Sequence, residues 1–266
     1  MIENSVIRFS DLYFAFLAKH FPVMCASDEF HYMPRAEKAS DYYDCLEDFS
    51  GEEIKNFIYW LENQKEQIEG ICRENINNPE VLIDLDMLRM SIKSLESEFV
   101  QKKVWIHDPL LYLKITFIGL DHAMTKPSME KKEISTRLAS RLNLMPRLLK
   151  QAESNISIVS ANCQRASLNM IHDGKRYLEE SLTSFIEVIR EHGCHNWINL
   201  YQNCMEALKG FEKVISSLST VPDDKFGEIC SFKINILFLP KLSLKEIYDF
   251  ELQERSEILK KLEKIK

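Results

Sequence analysis

Apolar residues recur along this chain at intervals of three and four, the period of helices that bury one face. The first such segment runs from Val6 to Phe21 and is expected to stop before Pro22, whose ring and missing amide break a helix. From Pro22 to Phe49 the period is lost. That stretch is aromatic and acidic, with Phe30, Tyr32, Tyr42, Tyr43, Asp41, Asp44, Glu47 and Asp48, and reads as a long irregular segment. Loops of that length are uncommon in compact domains and are often functional.

Helical spacing then resumes. Ser50 and Glu53 have the spacing of a capping box, and Ile54, Phe57, Ile58, Leu61, Ile68 and Ile71 form the stripe that follows. Asn78-Pro79 opens the next helix, with Leu82, Leu85, Leu88, Ile92, Leu95 and Phe99 on its buried face. Asp108-Pro109 is another start: Asp caps the free amides, and Pro fits the first turn, where no amide bond is lost. Trp105, just before it, is placed to pack back on that helix.

After Lys126-Pro127-Ser128 comes a helix carrying Ile134, Leu138 and Leu142, expected to bend at Pro146. Asp173-Gly174 and Gly193 are expected to end two further helices. Asn196 to Leu218 reads as helical, with Ile198, Tyr201, Met205, Leu208 and Val214 inward. Ser243 and Glu246 repeat the capping box before a final charged amphipathic helix. The pattern predicts an all-α protein, a multi-helix array of antiparallel amphipathic helices forming a single domain over 1–266.

Composition supports this reading. Hydrophobic residues make up 45% and charged residues 28%, ordinary for a globular protein, and 7 Gly with 8 Pro are too few for the turns of a sheet protein. The net charge of −7 and the lack of a long Lys/Arg cluster argue against a nucleic-acid partner. The one modest basic stretch, Arg137, Arg141, Arg147 and Lys150, reads as a solvated or salt-bridged helix face. Seven cysteines without a C-x-x-C pair point to a reducing cytoplasm rather than a disulfide framework. The start, Met1-Ile2-Glu3-Asn4, lacks the basic residues of a signal peptide. The apolar run Leu12 to Leu17 is far short of the ~20 residues of a membrane helix, so no membrane partner is expected.

The common catalytic motifs fail one by one. A helical zinc hydrolase needs H-E-x-x-H, which puts two imidazoles on one face with a base beside them. None of His20, His31, His107, His122, His172, His192 and His195 is followed by Glu. His192-Gly193-Cys194-His195, beside Glu191, is the nearest metal-like or Cys–His group. It reads more simply as a helix end, with Gly193 stopping the helix and His192 in its last turn. Phosphate loops need clustered glycines, and the closest here, such as Gly193 and Gly210, are 17 residues apart (210 − 193). No G-x-S-x-G elbow occurs. The carboxylate pairs Asp84/Asp86 and Glu52/Glu53 are adjacent on predicted helices, and the Asp84 pair reads as capping or solvent-facing. No catalytic, cofactor-binding or metal residue is assigned, and no cofactor is expected.

One stretch points to a family. Asp84 to Ile156 contains D-L-D-M-L-R-M-S-I-K-S-L-E-S-E-F, then W-I-H-D-P-L-L-Y-L, then T-R-L-x-x-R-L-x-L-M-P-R-L-L-K-Q-A-E-S-N-I. With Asp48-Phe49-Ser50, Gly227-Glu228 and Leu242 to Ile247, this resembles the bacterial domain-of-unknown-function family numbered 885, from Ser10 to Ile265. The segment Trp105 to Leu113 is the most specific part. The resemblance implies a helical protein akin to gluzincin-type metallopeptidases and carboxypeptidases, whose zinc helix lies in a second half that has no counterpart in this sequence. Trp105, Asp108, Pro109, Tyr112 and Pro146 would then be packing and capping positions.

The leading expectation is a truncated or split member: the non-catalytic helical half, without self-sufficient activity, partnered by a separately encoded zinc-binding half or by self-association. The alternative is a self-standing helical scaffold that grips a partner through Pro22–Phe49 or the final helix. An enzyme built around His192, Cys194 and His195 is the third reading.

Overall fold

The computed structural model describes residues 2–74, 79–127, 130–189 and 196–222, all within one compact unit, Met1–Phe232. Ten α-helices lie among them, as an all-α fold requires. The Gly193 stop, the His192–His195 group, the Ser243 capping box and the final helix fall outside the described residues, and the single-domain expectation for 1–266 reaches beyond them.

Helix α1 (Ile2–His20) is followed by a single turn, α2 (Pro22–Cys25). The expected irregular segment is real but ordered: a strap that includes a 3-10 helix over Glu37–Tyr42. Helix α3 (Gly51–Glu74) starts at Ser50, whose Oγ accepts from the Glu53 amide at 3.4 Å. The box closes only on that side. The Ser50 amide donates instead to Asp48 at 2.9 Å, and Glu53 faces His20 at 3.7 Å. Helix α4 (Pro79–Glu96) buries Leu85, Leu88, Ile92 and Leu95, then widens into a π turn over Ser97–Gln101 that buries Phe99. Lys103, in the left-handed region at φ 48°, ends it.

After the short α5 (Val104–His107), Asp108 caps α6 (Pro109–Thr125) by accepting from the Leu110 amide at 3.0 Å. Trp105 does pack back: its indole N–H donates to the Phe99 carbonyl at 3.0 Å, and its own carbonyl accepts from the Tyr112 hydroxyl at 2.6 Å. Helix α7 (Lys131–Asn155) runs through Pro146 without ending.

Two expectations are corrected here. Helix α8 (Ala161–Tyr177) does not stop at Gly174. It continues through a π turn, Leu178–Leu182, into α9 (Thr183–Ile189). Gly174 serves close packing instead: a Cβ there would sit 2.0 Å from the Phe117 ring of α6. Helix α10 (Trp197–Ser217) is where expected, but its buried stripe is Trp197, Leu200, Cys204, Met205, Leu208, Phe211 and Ile215. Ile198 lies off that stripe and is 73% exposed, because one residue turns a helix by about 100°. A two-residue parallel pairing of Val159–Ser160 with Thr220–Val221 was not foreseen.

Helix α7 packs between α6 and α10, while α3 pairs with α4 and α8 rests on α6 and α10. Phe21, Phe57 and Phe99 meet edge to face with centroids 4.6–5.5 Å apart, and Phe49 meets Tyr112 at 5.1 Å. This aromatic cluster joins the end of α1, the strap, α3, the first π turn and α6.

Candidate functional site

Outside its 3-10 helix and a few turns the strap lacks regular backbone pairing, so the remaining buried amides and carbonyls must find side-chain partners. Helix α7 supplies them from one face. Arg141 Nε donates to the Cys45 carbonyl at 3.1 Å, Nη2 to the Tyr42 carbonyl at 3.4 Å, and Nη1 to the carbonyl of Gly119 on α6. Arg147 donates to the Glu47 carbonyl at 3.3 Å and pairs with Asp48 at 3.3 Å. Gln151 accepts from the Phe49 amide at 2.9 Å and donates to Asp48 at 2.7 Å. Asn155 donates to the Phe49 carbonyl at 2.7 Å.

The basic stretch is therefore not simply a solvated face. Arg141 is fully buried, and Arg137 nearly so, donating to the carbonyls of Ala123 and Lys126 at the end of α6. Lys150, paired with Glu153, and Arg147 are the members that meet solvent. Both buried guanidiniums lie 5.9 Å from the Tyr43 ring centre, where a cation is attracted by the aromatic face. Burial lowers the Arg141 pKa to about 10, against the opposing pull of Glu47.

Glu47 completes the clasp. Its Oε1 accepts from the amides of Val23 and Met24 at 2.8 and 2.9 Å, while Oε2 is buried with no hydrogen-bond partner among the described residues. Burial raises its pKa to about 7, although those amides and Arg141 favour the charged form. His122 Nδ1 is likewise buried and unpartnered among the described residues, and its pKa falls to about 4 through burial and then the nearby cations Lys126, Arg141 and Arg35. Arg141, Arg147 and Asn155 hold the strap by donating to its main-chain carbonyls, and Glu47 ties it to α2 by accepting from two amides.

The other sequence-marked residues do not converge. Asp84 and Asp86 are exposed, Asp86 pairing with Arg89 at 2.7 Å. Among the described residues, no group of three or more His, Cys, Asp or Glu is placed to hold a metal ion. Cys25, Cys45, Cys72, Cys163 and Cys204 are free thiols. Trp105, Asp108, Pro109 and Tyr112 sit at packing and capping positions.

A surface feature stands apart from this clasp. Between α1 and α3 runs an open groove of about 990 Å³, walled by Phe9, Leu12, Phe16, Trp60, Ile71 and the strap residue Tyr42. Phe16 and Trp60 stack face to face with centroids 3.9 Å apart, and His20 continues the stack on Phe16 at 4.2 Å. Leu12 is 62% exposed along it. Because Arg141 fixes the Tyr42 main chain, the buried clasp positions one wall of the groove. The sequence pattern placed Ile71 in a buried stripe and Tyr42 in the irregular segment, without marking a shared surface with Phe9 and Trp60. The available signal was on α3, where Trp60, Gln64, Gln67 and Ile71 recur at helical spacing without a charge, beside a face rich in Glu and Lys.

Fold and site together define a helical protein with a pinned strap and an aromatic surface groove, and among the described residues no helix is long and apolar enough to cross a membrane. No family model, curated protein or solved structure matches the chain.

Proposed function

We propose that this protein acts by binding a partner in the α1–α3 groove rather than by catalysing a reaction. The observation that carries this reading is the exposed Leu12 beside the Phe16–Trp60 stack. Stacked aromatics bury large area on docking at little conformational cost, and such residues dominate binding energy. Arg141 and Glu47 Oε1 support it too, since their hydrogen bonds hold the strap and the groove wall. The reading places the protein in a reducing cytoplasm, in keeping with its free thiols. In the terms of the metallopeptidase-like resemblance, the occupant would be a separately encoded zinc-binding half; in the scaffold reading, an unrelated protein.

A photo-crosslinking residue at Leu12 in the full-length protein, expressed in its own cells, tests this. A discrete adduct is expected that disappears when Trp60 is changed to Ala and does not form from the exposed control position Glu66. Identical adducts from both positions, or none from Leu12, would overturn the proposal.

A further inference from the structure

The charges that line the groove are of one sign. Its lining holds two cations, Arg8 and Lys19, and no acidic residue, on a chain whose net charge is −7. Neither cation forms an ion pair among the described residues, and both are exposed. The groove on the other flank of α1, against α4, has the opposite character: Asp11 and Asp84 line it, with no Lys or Arg. One helix thus divides two apolar grooves of opposite sign.

Arg8 and Lys19 are eleven residues apart (19 − 8), which is about 16 Å, or three turns, along a helix. They stand near the two ends of the apolar floor formed by Leu12, Ala15, Phe16 and Trp60. A groove of this length with an aromatic floor suits the apolar face of an amphipathic helix. Complementary charge at the rim sets orientation and excludes partners of the wrong sign.

Resting on the partner-binding reading, we infer that the occupant is an amphipathic helix with a pair of acidic residues three turns apart, one meeting Arg8 and the other Lys19. A segment with lysines at those positions is repelled here and is the better match to the Asp11–Asp84 side.

The test is selection from a displayed library of helices of about 18 residues, long enough for helix formation to be practicable. Each has a fixed apolar stripe and Glu, Lys or Gln at the flanking positions. On the full chain, Glu is expected to enrich at two positions ten to eleven residues apart, and Leu12→Asp should abolish recovery. The double variant Arg8→Glu, Lys19→Glu should weaken a selected peptide by about tenfold and turn the preference to Lys. Enrichment without charge preference, or of Lys on the unchanged protein, defeats this inference and leaves partner binding standing. Failure to recover any helix, or recovery indifferent to Leu12→Asp, defeats both. Circular dichroism of each variant confirms that the fold is kept.

Discussion

The thiol of Cys204 on α10 donates to the carbonyl oxygen of Leu142 on α7, 3.2 Å away. That oxygen is the one a helix would pair with the amide of residue 146, and residue 146 is a proline. The neighbouring helix therefore fills the acceptor that Pro146 leaves empty, and α7 passes through the proline at the place where α10 packs against it. Burial keeps the thiol protonated, with a pKa pushed up to about 12, so the donor persists at any ordinary pH.

Replacing Cys204 with Ala should strand that buried carbonyl and cost about 1–3 kcal/mol. Cys204→Ser, which restores a donor, should lose distinctly less. Urea denaturation midpoints at unchanged slope give the comparison. Equal losses in the two variants would mean the thiol contributes packing alone.

Arg141 holds three carbonyls, so Arg141→Met should remove at least about 3 kcal/mol, each stranded acceptor costing about 1–3 kcal/mol. Arg141→Lys should rescue little, since an ammonium cannot reproduce a planar fork. The effect should centre on the strap: trypsin cleavage at the exposed Arg35 and Lys38 should accelerate before the helices are cut. Unchanged cleavage there would show that the clasp does not pin the strap.

Two buried groups act on stability in opposite directions with pH. Glu47 keeps its proton in the folded state up to about pH 7, while the unfolded chain releases it near 4.5, so its contribution is present below 4.5 and is lost as pH rises towards 7. His122, with a folded pKa of about 4 against 6.5 unfolded, does the reverse: stability is gained as pH rises from 4 to 6.5. In the intact protein the slopes oppose each other between about pH 4.5 and 6.5. Glu47→Gln should unmask stability that rises with pH across that window, and His122→Asn should leave one that falls. Chemical denaturation at several pH values reads both slopes; parallel curves for all three proteins would contradict the assignment.

Gly174→Ala should destabilise by about 1–3 kcal/mol, because the added methyl meets the Phe117 ring, although alanine alone would favour a helix by ~1 kcal/mol. Phe117→Ala in the same chain should recover part of the loss. A higher melting temperature for Gly174→Ala would mean that the ring moves aside freely.

Much of this architecture is legible in the amino-acid string. The starts at Ser50 and Asp108 and the buried faces of α3 and α4 follow from capping chemistry and helical period, both local properties. Gly174 misled because a glycine required for close contact between helices looks, along the chain, like one that ends a helix. Ile198 misled because two adjacent apolar residues at the start of α10 leave the direction of the buried stripe open by a full residue. The groove went unmarked because its walls come from α1, α3 and the strap, and no window of sequence contains all three.

The sequence by itself determined an all-helical chain with an irregular aromatic segment after its first helix, since period, caps and breakers act within a few residues. Only the tertiary structure decided that Arg137 and Arg141 turn inward to grip main-chain carbonyls, that Glu47 is buried among the amides of α2, and that Leu12 stays exposed beside Trp60. A charged side chain's burial depends on whether distant segments bring acceptors to it, and that information exists only once the chain has closed on itself.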